Sequence, residues 1–114
     1  MNVLSWNCRG FGNPRAIRNL YRLVKDKKPA ILFLMETKCS KNKMETVRIR
    51  MGFEGLFVVE AKGHSGGLAL LWKESGLVDI QNYTRMHINV VVNPVDGSGS
   101  WRLTGFYGQP DWTR

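Results

Sequence analysis

The sequence has no long apolar run. The longest, residues 30–35, has six residues, whereas a membrane-spanning helix needs about 20. Residues 1–6 also lack the basic and apolar regions of a secretory signal. We therefore expect an intracellular protein, nuclear or cytoplasmic, with no transmembrane segment.

Cysteine and histidine are scarce, with two of each. A structural disulfide between Cys8 and Cys39 is not expected in a reducing compartment. Together with His64 and His87, the cysteines do not have the spacing of a zinc site. We interpret the cysteines as ordinary thiols and the histidines as turn or packing residues.

Acidic residues are few, with 9 Asp and Glu against 17 Lys and Arg. The imbalance lies in the first half: residues 1–57 hold twelve basic and four acidic residues, and residues 58–114 hold five of each. A basic half indicates a polyanionic partner, either nucleic acid or an acidic membrane surface. Charge alone fits a surface tuned for solubility equally well.

Apolar periodicity predicts a strand–helix–strand unit near the N-terminus. Residues 2–6 and 30–34 are predicted strands, and the second is wholly apolar and therefore central in its sheet. Residues 15–26 between them are predicted to form an amphipathic helix. Its inner face has four apolar positions: Ile17, Leu20, Tyr21 and Val24. Its outer face has four basic residues: Arg15, Arg18, Arg22 and Lys25.

The sequence after residue 34 predicts one more helix and then a series of strands. Ser40 is expected to cap the helix, with Met44, Val47 and Met51 facing the core and Gly52 ending it. Five strands are predicted after it: residues 56–61, 68–72, 77–83, 87–93 and 101–107. This order predicts a layered α+β or α/β domain. No helix follows to cover the second face of the sheet, so we expect the chain to be part of a domain.

Two polar sequences follow the first two predicted strands, SWNCRG at residues 5–10 and METK at residues 35–38. A right-handed crossover makes these strands parallel, so Asn7 and Glu36 should lie at the same edge of the sheet. A carboxylate beside an amide oxygen suits Mg²⁺ and a phosphate. Spacing alone leaves a plainer alternative open, in which Glu36 is a solvated acid and Asn7 a turn residue.

Two further patterns have alternative explanations. Residues 63–67 match the nucleophile elbow of serine hydrolases, but the elbow needs a helix directly after Ser65, and residues 68–72 are predicted as a strand. Tryptophans can stack on nucleic-acid bases. We expect Trp6, Trp72 and Trp101 in the core, which leaves Trp112 in the terminal loop as a surface candidate.

Four sequences together resemble the endonuclease/exonuclease/phosphatase family, which has a DNase I-like fold. They are LSWNCRG (residues 4–10), LMETK (34–38), SGGLA (65–69) and GFYGQP (105–110). Their order and approximate spacing extend over nearly the whole chain. Within the family, the chain is most similar to endonuclease domains of plant LINE-type non-LTR retrotransposons. The resemblance implies an α+β fold of the four-layer α/β-sandwich type, with this chain as about its first half.

The resemblance also implies roles for individual residues. Asn7 would contact the phosphate or the metal shell, Glu36 would bind Mg²⁺, and Tyr107 would contact the scissile phosphate. We expect the DNA backbone as partner, with no membrane and no stable protein partner. Contacts with the backbone are assigned to five basic residues: Arg9, Arg15, Arg18, Arg22 and Lys38.

Two motifs of the family have no counterpart in this sequence. One is Gly-Asp-Phe-Asn, whose aspartate activates water, and the other is Ser-Asp-His, whose histidine stabilises the transition state. We therefore expect a fragment of a Mg²⁺-dependent phosphodiesterase that nicks DNA in retrotransposition and is inactive by itself. Two alternatives stay open: a non-catalytic basic module that binds nucleic acid, and a phosphatase of the same fold acting on small phosphate esters.

Overall fold

Helices and strands alternate at first and give way to strands alone. The computed structural model describes residues 1–63 and 65–108, which form two helices, α1 (Pro14–Lys27) and α2 (Lys41–Met51), and seven strands. The strands are β1 (Val3–Asn7), β2 (Ile31–Met35), β3 (Gly55–Val59), β4 (Leu68–Trp72), β5 (Val78–Tyr83), β6 (His87–Val92) and β7 (Trp101–Phe106). His64 and Trp112, for which roles were predicted, lie outside the described residues. Neither helix is long and apolar enough to cross a bilayer.

The first sheet has four strands in the order β1-β2-β4-β3. β1 and β2 are parallel, with Asn7 opposite Met35, whereas β4 runs antiparallel to both of its neighbours. The predicted parallel pair and the central position of β2 are thus confirmed. Because Asn7 is the last residue of β1 and Glu36 directly follows β2, both lie at one edge of this sheet.

The second sheet is antiparallel, in the order β5-β6-β7, and packs on one face of the first. Burial alternates along β6, so Ile88, Val90 and Val92 point toward the first sheet. They pack with Ile31 and Phe33 of β2 in one apolar cluster. The predicted run of five antiparallel strands is therefore divided: β3 and β4 join the first sheet, and β5, β6 and β7 form a layer of their own.

Both helices pack on the other face of the first sheet, which gives three layers: helices, sheet, sheet. The Asn13 side chain caps α1 by accepting a hydrogen bond from Arg15 N (2.9 Å). Ser40 caps α2 as predicted, by accepting one from Lys43 N (3.3 Å). Gly52 ends α2 in the left-handed conformation, with φ 79°.

The helix faces agree with prediction except at one position. The core side of α2 buries Met44, Val47 and Met51, and α1 buries Leu20 and Val24. Tyr21 was predicted on the inner face of α1 but is 38% exposed. It lies at the margin of the interface, where the side chains of two basic residues approach its ring: Lys25 and Arg50.

The predicted core position of Trp101 is wrong. This residue begins β7, an edge strand of the second sheet, and is 39% exposed. Trp6 and Trp72 are half-buried and pack against the two apolar clusters on either face of the first sheet. Trp101 is exposed because an edge strand has a neighbouring strand on one side only. Assigning the residue to a strand was therefore not enough to predict its burial.

Candidate functional site

Glu36 adopts an unusual backbone conformation at the end of β2. Its φ is 51°, in the left-handed region, and the same region holds Arg9 (φ 54°) and Lys38 (φ 51°). For residues with a side chain, this conformation costs on the order of 1–3 kcal/mol and persists only where the surrounding structure enforces it. Three such residues at two adjacent strand ends indicate a functional site.

Backbone hydrogen bonds from the loop after β1 hold one side of the Glu36 segment. The N–H of Gly10 donates to the Glu36 carbonyl (2.7 Å), and the N–H of Phe11 donates to the Thr37 carbonyl (3.0 Å). The Glu36 segment therefore continues the pairing of β1 with β2 beyond the strands, into the two polar sequences.

The glycine pair before β4 holds the other side. Thr37 N–H donates to the Gly67 carbonyl (3.1 Å), and Lys38 N–H donates to the Gly66 carbonyl (3.0 Å). Gly67 has φ 96°, and a Cβ at this position would collide with the buried side chain of Thr37. Hydrogen bonds on both sides thus fix the conformation of the segment before any ligand arrives.

Tyr107 reaches Glu36 from the second sheet. Its hydroxyl donates to Glu36 Oε1 at 2.6 Å, and its own N–H donates to the Met86 carbonyl at 2.6 Å. The hydrogen bond from Tyr107, and a weaker one from Asn7, lower the pKa of Glu36. The charges of Lys38 and Arg9 act in the same direction. The pKa of Tyr107 is raised, because its proton is shared with the carboxylate.

The Asn7 side chain stabilises the turn after β1 and also lies beside Glu36. Its Oδ1 accepts a hydrogen bond from Arg9 N (3.0 Å), and the side chain lies close enough to Glu36 to lower the pKa of that carboxylate. Beside it, a polar groove of about 520 Å³ is lined by amide and guanidinium groups, including those of Asn13 and Arg15. Such a groove suits an anion, since it offers hydrogen-bond donors and positive charge.

The structure brings together most of the predicted site residues. Tyr107 and Glu36 are hydrogen-bonded, and Asn7, Arg9 and Lys38 lie close enough to lower the pKa of Glu36. Arg15 lines the groove beside Asn7. Arg18 and Arg22 are exposed farther along α1, outside the lining of that groove.

Several residues of the site were not predicted. The carbonyls of Gly66 and Gly67 hold the Glu36 segment, Met86 anchors Tyr107, and Asn13 both caps α1 and lines the groove. A pair of glycines directly before a strand is a signal of close backbone approach. By contrast, nothing in the sequence marks Met86, because only its backbone carbonyl takes part.

The donor set of the site fits Mg²⁺. This ion is usually held by one or two carboxylates, with water and substrate phosphate completing its shell. Within residues 1–63 and 65–108, no three His, Cys, Asp or Glu side chains converge on one point. Glu36 would therefore be the acidic ligand from this part of the chain, with the amide oxygen of Asn7 as its neutral neighbour.

Cys8 and Cys39 lie near the site as free thiols. Burial raises the pKa of both, so at neutral pH they are protonated and weakly nucleophilic.

The serine hydrolase pattern has no structural counterpart. Ser65 lies in a tight turn paired with Lys62, and the strand β4 follows it, not the helix that a nucleophile elbow requires. His87 holds the turn before β6, with Nδ1 2.7 Å from Thr84 Oγ1 and Nε2 3.0 Å from Asn82 Oδ1. Its predicted role in a turn is confirmed.

The sequence profile of the endonuclease/exonuclease/phosphatase family matches residues 4–112. No match was found among curated protein sequences. Among solved structures, the chain resembles the 3′ phosphatase NExo from Neisseria bound to product DNA hairpin, at 21% identity and a TM-score of 0.63. That match covers 94% of this chain and 41% of the other.

Two endonuclease structures match similarly. For an AP endonuclease from Archaeoglobus fulgidus, the identity is 20%, the TM-score 0.60, and the coverage 81% of this chain and 37% of the other. For the AP endonuclease LMAP from Leishmania major, the identity is 16% and the TM-score 0.61, and the match covers 90% of this chain and 38% of the other. Identities this low show the fold alone, which is the predicted DNase I-like one. The chain spans 37–41% of the length of these structures.

Proposed function

The chain belongs to the endonuclease/exonuclease/phosphatase family, and from this premise we propose that its Glu36 site binds Mg²⁺ together with a phosphate of a DNA backbone. The observation that carries this proposal is the 2.6 Å hydrogen bond from the Tyr107 hydroxyl to Glu36 Oε1. It joins a negatively charged ligand to a proton donor at the edge where Asn7 and two basic residues also lie: Arg9 and Lys38.

Glu36 is suited to hold a cation because its carboxylate is ionised at neutral pH. Its lowered pKa follows first from the Tyr107 hydrogen bond and is reinforced by Asn7. The amide oxygen of Asn7 would be a second donor for the same ion. When bound, Mg²⁺ would supply a Lewis acid that polarises the phosphoryl oxygen and stabilises the leaving oxygen.

Tyr107 would orient first the Glu36 carboxylate and then a bound phosphate. Its hydroxyl fixes the direction of the Glu36 carboxylate, and its raised pKa keeps the phenol protonated. Because the phenol has a single proton, it would donate to a phosphate oxygen by turning from Glu36 once a cation holds the carboxylate. The N–H of Tyr107 is anchored on Met86 (2.6 Å). The anchored backbone would keep the phenol at the site while its hydroxyl changes partner.

The basic residues would attract the DNA backbone. Arg9, Lys38 and Arg15 surround the groove and the carboxylate, and Arg18 and Arg22 extend the positive charge along α1. Phosphate contacts of this kind supply affinity without reading sequence. The basic first half supports DNA as substrate over small phosphate esters.

For the whole protein, we propose nicking of DNA in retrotransposition. The support is the resemblance of four motifs to plant LINE-type endonuclease domains, and a related fold was solved with a product DNA hairpin. Residues 1–114 contain neither Gly-Asp-Phe-Asn nor Ser-Asp-His. By themselves they would bind DNA and Mg²⁺ but not activate water.

The test compares DNA affinity in Mg²⁺ and in EDTA. The wild-type chain should bind a short duplex more tightly with Mg²⁺, and Glu36→Gln should lose this difference. Glu74→Gln, which removes an exposed carboxylate far along the chain from the site, is the matched control and should keep it. A Mg²⁺ effect equal in all three proteins would contradict the proposed site.

Two further observations test the finer claims. In a plasmid-nicking assay with Mg²⁺, we expect no nicking by residues 1–114. Nicking that Glu36→Ala abolishes would show that the expected inactivity is wrong. The genomic sequence after the codon for Arg114 should encode Gly-Asp-Phe-Asn, then Ser-Asp-His, then a reverse transcriptase, and an unrelated reading frame there would contradict the link to retrotransposition.

A further inference from the structure

A second cleft, which we call the Tyr21 cleft, lies at the other end of α1 from the Glu36 site. Its volume is about 400 Å³, within the range of sites for small molecules. The floor is apolar and consists of Tyr21, Val24 and Met51. The rim carries four cations: Lys25, Lys28, Arg50 and Lys73. Among the described residues, no carboxylate lines it.

The C-terminal ends of the two helices offset only part of this positive charge. Both α1 and α2 end at the cleft, and each helix C-terminus carries about half a negative charge, so together they offset about one of the four cations. Two acidic side chains close in sequence to the rim are engaged elsewhere. Asp26 pairs with Lys27 (3.7 Å), and the Glu54 carboxylate accepts a hydrogen bond from Ser75 N (2.9 Å). The cleft therefore keeps an excess of positive charge.

Lys28 is held on the rim in a strained conformation. It is the C-cap of α1, with φ 49° and ψ 55°, and its N–H donates to the Val24 carbonyl at 2.8 Å. Glycine is the usual residue at such a left-handed cap because it has no Cβ. A lysine here keeps a strain that glycine would avoid, and it adds its charge to the rim of the cleft.

The floor provides a surface for stacking. The Tyr21 ring is partly exposed, with Lys25 Nζ 5.7 Å and Arg50 Cζ 5.8 Å from its centroid. A nucleic-acid base stacks on aromatic rings and on guanidinium planes alike. Lysine ammonium groups beside such a surface suit the phosphates on either side of a base. The chemistry thus matches a nucleotide and not only a free anion.

A basic stripe connects this cleft to the Glu36 site. Arg15 lines the groove beside Asn7, Lys25 lines the Tyr21 cleft, and Arg18 and Arg22 lie between them on the exposed face of α1. Arg15 and Lys25 are ten positions apart and therefore about 15 Å apart along the helix, the length of about four phosphates of one strand at duplex spacing. This continuity favours a polyanionic strand as the occupant.

We propose that the Tyr21 cleft binds one unpaired nucleotide of a single-stranded nucleic acid. The base stacks on Tyr21 and Arg50, and the flanking phosphates contact Lys25, Lys28 and Lys73. The strand then follows the basic stripe along α1. The cleft requires no cation at Glu36, so it goes beyond the proposed function and does not depend on it.

The first test measures fluorescence anisotropy in EDTA with an oligothymidylate of about eight nucleotides, a typical site size. Arg50→Glu should weaken binding about tenfold, a loss typical of stacking positions. Arg102→Glu, an exposed residue on β7, makes the same charge change on the second sheet and should have less than about a twofold effect. Equal losses in the two variants would overturn the proposal.

An abasic oligomer of the same length separates stacking from charge. The wild-type chain should bind it about tenfold more weakly than the oligothymidylate, and Tyr21→Ala should remove this difference. Equal binding of the two oligomers to the wild type would overturn the role of the base. If thymidine monophosphate competed for the cleft as well as the oligomer does, the occupant would be a free nucleotide. The proposal that a single strand binds would then be overturned.

Photocrosslinking tests the location without any variant. An oligothymidylate carrying bromodeoxyuridine is irradiated with the wild-type chain in EDTA, and the adduct is mapped by mass spectrometry. The adduct should fall on Tyr21 or Met51. Adducts confined to residues outside the Tyr21 cleft, such as Trp101, would contradict the proposal. Because EDTA is present in every arm, these results do not depend on whether Glu36 binds a cation.

Discussion

The Tyr107 hydroxyl donates a 2.6 Å hydrogen bond to Glu36 Oε1, across 71 positions of sequence. This single contact joins the end of the second sheet to the end of β2 in the first. It lowers the pKa of Glu36 and raises the pKa of Tyr107. At neutral pH Glu36 is therefore an anion, as a cation requires, and Tyr107 keeps the proton that orients this carboxylate.

The first prediction concerns the pH dependence of stability in Tyr107→Phe. The folded-state pKa of Glu36 is lowered, so its carboxylate contributes stability that is present above the unfolded pKa. That stability is lost as pH falls through the folded pKa. Tyr107→Phe removes the largest cause of the shift. Urea unfolding at a series of pH values should show a shallower loss of stability below about pH 5 in the variant.

Tyr83→Phe is the control for this experiment. It removes a hydroxyl from an exposed tyrosine on β5 and should leave the slope of unfolding free energy against pH unchanged. If Tyr107→Phe had the wild-type slope, the hydrogen bond would not be responsible for the low pKa of Glu36.

The second prediction compares Gly67→Ala with Gly66→Ala. Both residues have a positive φ, but a Cβ at Gly66 meets no atom within 4 Å, whereas one at Gly67 collides with Thr37. Gly66→Ala should cost about 1 kcal/mol of unfolding free energy for the left-handed backbone. Gly67→Ala should cost about 3 kcal/mol, because overpacking adds to that strain. Chemical denaturation measures both, and equal costs would show that Gly67 is not packed against the Glu36 segment.

The third prediction is that Lys28→Gly stabilises the fold. The backbone of Lys28 is left-handed, and glycine there avoids a strain of about 1 kcal/mol. The melting temperature should rise. Lys27→Gly, one residue earlier and helical, should instead destabilise by up to about 1 kcal/mol. A lower melting temperature for Lys28→Gly would show that the lysine is not strained.

The fourth prediction concerns salt. If the stripe on α1 contacts phosphates, the logarithm of the DNA association constant falls linearly with the logarithm of salt concentration. Replacing Arg18 and Arg22 with Gln should reduce the steepness of this line by about 1 for each arginine that binds a phosphate in the wild-type chain. Arg102→Gln on β7 should leave it unchanged. An unchanged slope in the Arg18 and Arg22 variants would remove the stripe from the DNA interface.

Much of the fold follows from local patterns in the sequence. Residues 68–72 form a strand with the predicted bounds, and Ser40 and Gly52 bound α2 as predicted. These features depend on short-range chemistry, namely alternation, capping and left-handed glycine. The partly exposed Tyr21 and Trp101 departed from prediction because periodicity gives the face of an element but not how far its neighbours extend across it.

The candidate site could be predicted only in part. A parallel pair of strands was enough to place Asn7 and Glu36 at one edge. The contact between Glu36 and Tyr107 depends on how two sheets stack, and no local pattern encodes that register; the expectation for Tyr107 came from family resemblance. The left-handed backbone of Glu36 has no sequence signal either, because the position is not a glycine.

The most direct test of the account is a titration with Mn²⁺, a paramagnetic substitute for Mg²⁺, followed by electron paramagnetic resonance. The wild-type chain with a short DNA duplex should bind the ion and diminish the signal of free Mn²⁺. Glu74→Gln should do the same, and Glu36→Gln should leave the signal as it is with DNA alone. Equal binding by Glu36→Gln and the wild-type chain would contradict the claim that Glu36 holds the cation.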